Sequence, residues 1–239
     1  MQQILLGVAR KLTINQRKFV AEVIGTFIVV VLASGSVVID AKSHIVLGVP
    51  FIAFAPFVGV AIGVYLFGRI SMAHFNPAVT VGYLITGHIR RIQLVYYFTA
   101  EIIGALLASL FVKLFIGSQA HLGANAFNHS YPILLVFGTE VLASALLMAV
   151  ILTVVYTKGL KGFSGIAIGG IVGLDIFFLS FVSGASMNPA RSLAPALLSG
   201  SISDLWLYWS ATFIGTTIIA FALRKKMIER MKEEDRTLD

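Results

Sequence analysis

Two short apolar segments, 76–86 and 188–198, each opening on Asn-Pro-Ala, limit what this chain can fold into. At about 1.5 Å of rise per helical residue each covers roughly 16 Å, half of a bilayer's hydrocarbon core of about 30 Å. Neither spans alone, but two placed end to end do. Six longer apolar runs surround them, roughly 19–39, 46–68, 92–116, 133–156, 163–183 and 204–223, each long enough to cross by itself. Of the 239 residues, 58% are hydrophobic and only 12% charged. A soluble domain carries about 25% charged residues, so this chain is too poor in charge to cover itself in water. The reading is an all-α membrane protein with six transmembrane helices and two half-spanning, re-entrant helices.

The net charge of +7 sits at the ends of the apolar runs, where topology signals lie, and not in a nucleic-acid footprint. Arg10, Lys11, Arg17 and Lys18 precede the first run. Arg69, Arg90 and Arg91 flank the connection from second to third, and Lys158 and Lys161 the connection from fourth to fifth. Arg224, Lys225, Lys226, Arg230, Lys232 and Arg236 follow the sixth. The other side has Lys42, with Lys113 near a helix end, and the connection 117–132 has neither Lys nor Arg. The expectation is a multi-pass protein of the cell (plasma) membrane with both termini cytoplasmic. Residues 1–18 form an N-terminal segment, 19–223 one membrane domain, and 224–239 a charged, solvated and partly disordered tail. Residues 1–18 show no apolar core with a cleavage site, so no removable signal peptide is read there. With no cysteine, disulfides, iron–sulfur clusters and thiolate chemistry are excluded. Asn128-His129-Ser130 fits a glycosylation triplet on the predicted outer side, though such triplets also arise by chance.

The chain repeats itself. Ala21 to Gly25 resembles Thr139 to Ala143, Asn76-Pro77-Ala78 matches Asn188-Pro189-Ala190, and Tyr97 to Gly104 resembles Tyr208 to Gly215, at offsets of 118, 112 and 111. The repeats cover about 19–116 and 133–223. Three spans per repeat is an odd number, so the second repeat is inserted upside down relative to the first. Inverted repeats with broken helices meeting near the midplane are a transport architecture. Asn is a strong helix N-cap and Pro suits the first helical position, so Asn76 and Asn188 each open a half-helix pointing away from the membrane centre. The two positive dipole ends then face each other, each equivalent to about half an elementary charge. The amide oxygens can satisfy local backbone donors and the NH2 groups can donate into a lumen. A water accepting from both points its own hydrogens outward, which interrupts a proton wire, and the converging potential repels cations.

The stretches Ser71-Met72-Ala73-His74-Phe75-Asn76-Pro77-Ala78-Val79-Thr80 and Ser183-Gly184-Ala185-Ser186-Met187-Asn188-Pro189-Ala190-Arg191-Ser192 resemble the two signature loops of aquaporins, the major intrinsic protein family. The resemblance covers about residues 19–223. It implies a passive channel for water and small uncharged solutes, one pore per subunit of a homotetramer, with no cofactor or metal. Glu22 and Glu140 match the family's buried glutamates, expected to accept from the signature-loop backbones. His74 is expected to hold its loop by hydrogen bonds, with pH gating as the other reading. Met72 stands where the first loop often has Gly, which implies a local packing change.

By the same resemblance Arg191 is the selectivity-filter arginine, completed by Pro56, Ile176 and Ala185, with Phe54 or Phe57 as alternatives for Pro56. Strict water channels of the family usually have Phe and His where this chain has Pro56 and Ile176, which implies a wider, less polar opening. Glycerol, ammonia, urea or hydrogen peroxide then pass besides water. Ser192, Ala196 and Tyr208-Trp209 instead match the family's water-channel pattern, so a water-only channel stays open. A proton-coupled secondary transporter using Glu22, Glu140 or Asp175 is the reading from another class. Asp175 is expected at the outer vestibule or against a neighbouring subunit, and Glu101 at a helix interface. Gly25, Gly63, Gly104, Gly169, Gly173 and Gly215 suit close helix packing. The sequence offers no nucleophile–base set, metal cluster or phosphate loop to suggest an enzyme.

Overall fold

The computed structural model describes residues 12–157 and 159–236, with side chains described as far as Glu233. Arg10, Lys11 and Lys158, counted above as topology charges, lie outside the described residues. Among the described residues, six helices are long and apolar enough to cross a membrane. They are α1 (Ile14–Lys42), α2 (Gly48–Ser71), α4 (Arg91–Phe111, prolonged by a π-helical turn, Val112–Ile116), α5 (Ile133–Tyr156), α6 (Ser164–Ser183) and α8 (Leu205–Arg236). The half-length helices are α3 (Pro77–Ile85) and α7 (Pro189–Ser199). All eight fall where the apolar runs and the Asn-Pro-Ala motifs put them.

Two ends differ from expectation. Helix α1 starts before the apolar run because Thr13 and Gln16 form a capping box. Thr13 Oγ1 accepts from Gln16 N (3.3 Å) and Gln16 Oε1 from Thr13 N (2.8 Å). The expected disordered tail is a correction: α8 continues without a break to Arg236. Leu223, Met227 and Met231 recur every four residues and carry the inner face of the span onward. Met227 is buried, and Arg230 Nη1 donates to Tyr156 O at 2.8 Å. The alternating charges masked that stripe.

Packing follows the repeat. Helix α1 packs against α2 and α4 as α5 packs against α6 and α8, and α2 packs on α6 at the centre. Each half-helix crosses over: α3 lies against α8 of the other repeat, and α7 against α4. The α1–α4 and α5–α8 crossings are backbone-close. A Cβ on Gly104 would stand 2.4 Å from Val23 O, and one on Gly215 2.2 Å from Val141 O. Small residues at such crossings let dispersion and backbone contacts hold helices together where lipid removes the hydrophobic drive. The outer faces remain apolar, with Phe54, Leu134 and Phe178 exposed.

Candidate functional site

Half-helices α3 and α7 meet N-terminus to N-terminus. Asn76 Oδ1 accepts from Ala78 N (2.9 Å) and Val79 N (3.5 Å), and Asn188 Oδ1 from Ala190 N (3.0 Å) and Arg191 N (3.3 Å). Those donors fix which side of each amide is nitrogen. The Nδ2 atoms then reach across: Asn76 donates to Met187 O at 2.7 Å, and Asn188 to Phe75 O at 2.8 Å. Each NH2 has two donors, so one on each side remains beyond this cross-link. Pro77 and Pro189 hold the first helical positions, and Ala78 and Ala190 pack fully buried behind them.

The loops leading into these caps take a backbone that L-residues avoid. Met72, Ala73 and Phe75 have φ of 70°, 52° and 50°, matched by 80°, 43° and 55° at Gly184, Ala185 and Met187. Buried carboxylates hold them. Glu22 Oε1 accepts from His74 N (3.0 Å) and Oε2 from Phe75 N (2.7 Å), while Glu140 Oε1 accepts from Met187 N (2.5 Å). The tyrosines noted only as repeat landmarks complete the support. Tyr97 donates to Ser71 O at 2.6 Å, and Tyr208 to Ser183 O at 2.7 Å. His74 is stacked between Tyr83 and Tyr97, and its Nδ1 lies 2.8 Å from Thr80 Oγ1. Thr80 in turn donates to Glu101 Oε1 at 2.6 Å, so Thr80 accepts from the Nδ1–H tautomer of His74. Glu101 thus joins α4 to half-helix α3.

Between the loops runs a narrow cavity of about 60 Å³. A cavity needs at least about 10–15 Å³ to hold one water, so this one has room for more than one. Both Asn residues, His74, Pro56, Ile176, Ala185 and Arg191 line it, and the remaining wall is mostly aliphatic, as at Val60, Val79 and Ile151. Beyond Ile168, which lines both, lies a wide cavity of about 710 Å³ bordered by Arg69, His88, Lys161 and Met231. At the other end lies a vestibule of about 180 Å³ under residues 123–126. Ala33, Ile176, Ala185 and Arg191 line both lumen and vestibule and form the ring between them.

Three of the four expected filter residues therefore meet in one ring. Pro56 lines the lumen but not the vestibule, so it stands inward of that ring. Ala33 on α1 takes the fourth place, and a small residue in an apolar helix gave no signal for it. Phe54 is exposed on the outer face of α2, and Phe57 packs where α6 presents Gly169 and Gly173, so neither lines the pore. Asp175 is a second correction. It is buried, 3% exposed, and lines neither lumen nor vestibule, nor does it face outward toward a neighbouring copy. One position before Ile176 is about 100° round the helix, which turns it away from the lumen that Ile176 faces. Asn125, in the connection 117–132, was also not singled out. Its Oδ1 accepts from Arg191 Nη1 and Ser192 Oγ. An Asn in a polar outer loop gives no cue by itself. Among the described residues no three His, Asp or Glu cluster as metal ligands would.

Comparison with known proteins bears on the whole chain. The family model described as "Major intrinsic protein" matches residues 9–223. A protein named glycerol uptake facilitator protein-like 6 from Lactiplantibacillus plantarum is 36% identical, covering 87% of this chain and 97% of its own. Aquaporin NIP1-1 of Zea mays is 34% identical over 86% of this chain and 73% of its own, and nodulin-26 of Glycine max 35% over 83% and 73%. The solved structure of the aquaglyceroporin from Plasmodium falciparum shares the fold, with a TM-score of 0.75 at 22% identity over 88% of this chain and 96% of that one. By these matches the chain belongs to the major intrinsic protein family.

Proposed function

We propose that this protein is a passive membrane channel for water and small uncharged solutes. The observation that carries the reading is the reciprocal cross-link of Asn76 and Asn188, on the wall of a narrow cavity flanked by a wider one at each end. In an aliphatic tube a water finds few partners, so polar groups at the centre decide how it is oriented. The remaining donor of each Asn meets a passing water oxygen, and its hydrogens turn toward the two mouths. Two helix N-termini, each about half a positive charge, and the Arg191 guanidinium raise the energy of any cation there.

Glu22 and Glu140 accept from the signature-loop backbones and Asp175 stands off the lumen. None is placed as a proton-coupling group facing a solute, which favours a channel over a coupled transporter. The side chains of Ala33, Ala185 and Ile176 offer Arg191 no polar partner across the ring, which supports passage of glycerol, ammonia, urea or hydrogen peroxide besides water. Names among the relatives include both a glycerol facilitator and aquaporins. We further propose a homotetramer in the plasma membrane with both termini cytoplasmic. The apolar outer faces fit lipid or a neighbouring copy, and the Lys/Arg asymmetry fits that orientation.

Light-scattering shrinkage of proteoliposomes tests this, first under an impermeant osmolyte and then under glycerol, for the native chain and Ile176→His. The expected result is fast shrinkage, then re-swelling in glycerol that Ile176→His suppresses. Fast shrinkage without re-swelling would make it a water-only channel and overturn the broad filter. Shrinkage no faster than empty liposomes, with the protein shown folded and inserted, would overturn the channel.

A further inference from the structure

The outer ring has an image at the other end of the lumen, and the chain fills that image differently. The repeat that relates Asn76 to Asn188 is inverted, so it carries the outer ring over to the inner side. Signature-loop positions correspond at the offset of 112, and so do the left-handed caps that end α2 and α6, Met72 and Gly184. Positions in α1 and α5 correspond at 118. Arg191 then falls on Val79, Ala185 on Ala73, Ile176 on Val64 and Ala33 on Ile151. Ala73, Val79 and Ile151 line the narrow cavity, and Val64 lines the wide inner one. The outer ring sets a guanidinium among small and aliphatic side chains. In its image every side chain is aliphatic, and Ile151 stands three carbons larger than its mate Ala33.

The two ends of the lumen also join their neighbours differently. Four residues border both the narrow cavity and the outer vestibule. At the inner end, among the described residues, Ile168 alone borders both the narrow cavity and the wide one. It lies about two turns along α6 from Ile176, on the same face. Val64, Val79, Ile151 and Ile168 are buried in one apolar cluster, so close packing leaves them little room to swing aside. The side chains at this level offer a solute neither donor nor acceptor. A hydroxyl or amide taken out of water without a partner is costly, and each further polar group adds to the cost. From this geometry we infer that Ile151, with Ile168 and Val79, forms a second, apolar collar at the inner end of the lumen, a specificity-determining constriction that ranks neutral solutes by their size and by the hydrogen bonds they give up. The inference rests on the channel reading, not on the breadth of the outer filter.

The experiment reads water and glycerol permeability of proteoliposomes, normalised to inserted protein, for the native chain, Ile151→Ala, Val79→Thr and Leu147→Ala. Ile151→Ala widens the collar, while Val79→Thr keeps its size and adds a hydroxyl. Leu147 also lines the lumen, one turn farther from the inner mouth, and serves as the control. Ile151→Ala and Val79→Thr are each expected to raise glycerol permeability by roughly threefold to tenfold, the worth of about one hydrogen bond at the barrier. Water permeability is expected to rise less, so the glycerol-to-water ratio goes up, whereas Leu147→Ala leaves that ratio unchanged. If Ile151→Ala does not insert, Ile151→Val takes its place, with a smaller rise in the same direction. An unchanged ratio in Ile151→Ala or in Val79→Thr, or an equal rise in Leu147→Ala, overturns the inference. If the native chain passes water alone, glycerol entry gained by Ile151→Ala supports the collar although the broad filter has failed, and continued exclusion of glycerol overturns the collar too. A native chain that is folded and inserted yet passes no water removes the channel reading, and the inference with it.

Discussion

Three non-glycine residues of the first signature loop and two of the second stand at positive φ, and the sixth place in that matched set is Gly184. Its counterpart is Met72, at φ 70° where Gly184 has 80°. A left-handed conformation costs an L-residue about 1–2 kcal/mol. Met72→Gly is therefore expected to leave the fold intact and change stability by no more than about 1 kcal/mol, strain relief offsetting lost packing and the freer unfolded chain. Gly184→Ala is expected to cost at least about 1–2 kcal/mol, since its Cβ would also stand 2.8 Å from Ala126 O. Thermal unfolding of detergent-solubilised protein compares the two, and a larger loss for Met72→Gly would contradict the account. Residues such as Asn76, Asn188, Arg191, Glu22 and Glu140 were legible in the sequence because a polar group in an apolar run needs a reason. Asn125 and Ala33 were not, because each is ordinary in its own surroundings and acquires meaning only from what the fold puts opposite it.

At the scale of elements, the existence of every span followed from length and hydrophobicity, while ends depended on side chains those averages hide. Helix α8 is the clearest instance: its charged last turns read as a loose tail, yet Leu223, Met227 and Met231 carry its apolar face past the bundle. Met227→Ala is expected to cost about 2–3 kcal/mol, as truncation of a buried methionine does. The exposed Glu233→Ala should stay within about 0.5 kcal/mol. Equal, small effects in a thermal melt would mean that the end of α8 does not pack as described. The wide cavity bordered by Met231 also gives this extension a place at one mouth of the pore.

In the whole molecule, the repeat was visible from its matched motifs, but which span each half-helix would rest on was not. The structure answers with exchange: α3 lies on α8 and α7 on α4. Neither repeat buries its own half-helix without the other. Residues 1–130 and 131–239 expressed apart are expected to be cut readily by trypsin in detergent, and to regain protection when co-expressed. A protease-resistant single repeat would show the halves to be independent units.

The reciprocal bonds at the centre carry a consequence for the sense of flow. Each amide holds the opposite loop's carbonyl in the same way, at 2.7 and 2.8 Å, so a solute arriving at the midpoint meets the same chemistry from either end. That junction cannot rectify. Any difference between influx and efflux has to originate away from it, in the one-sided ring around Arg191 or at the mouths, one bordered by Arg69 and Lys161, the other by a connection, 117–132, with no lysine or arginine.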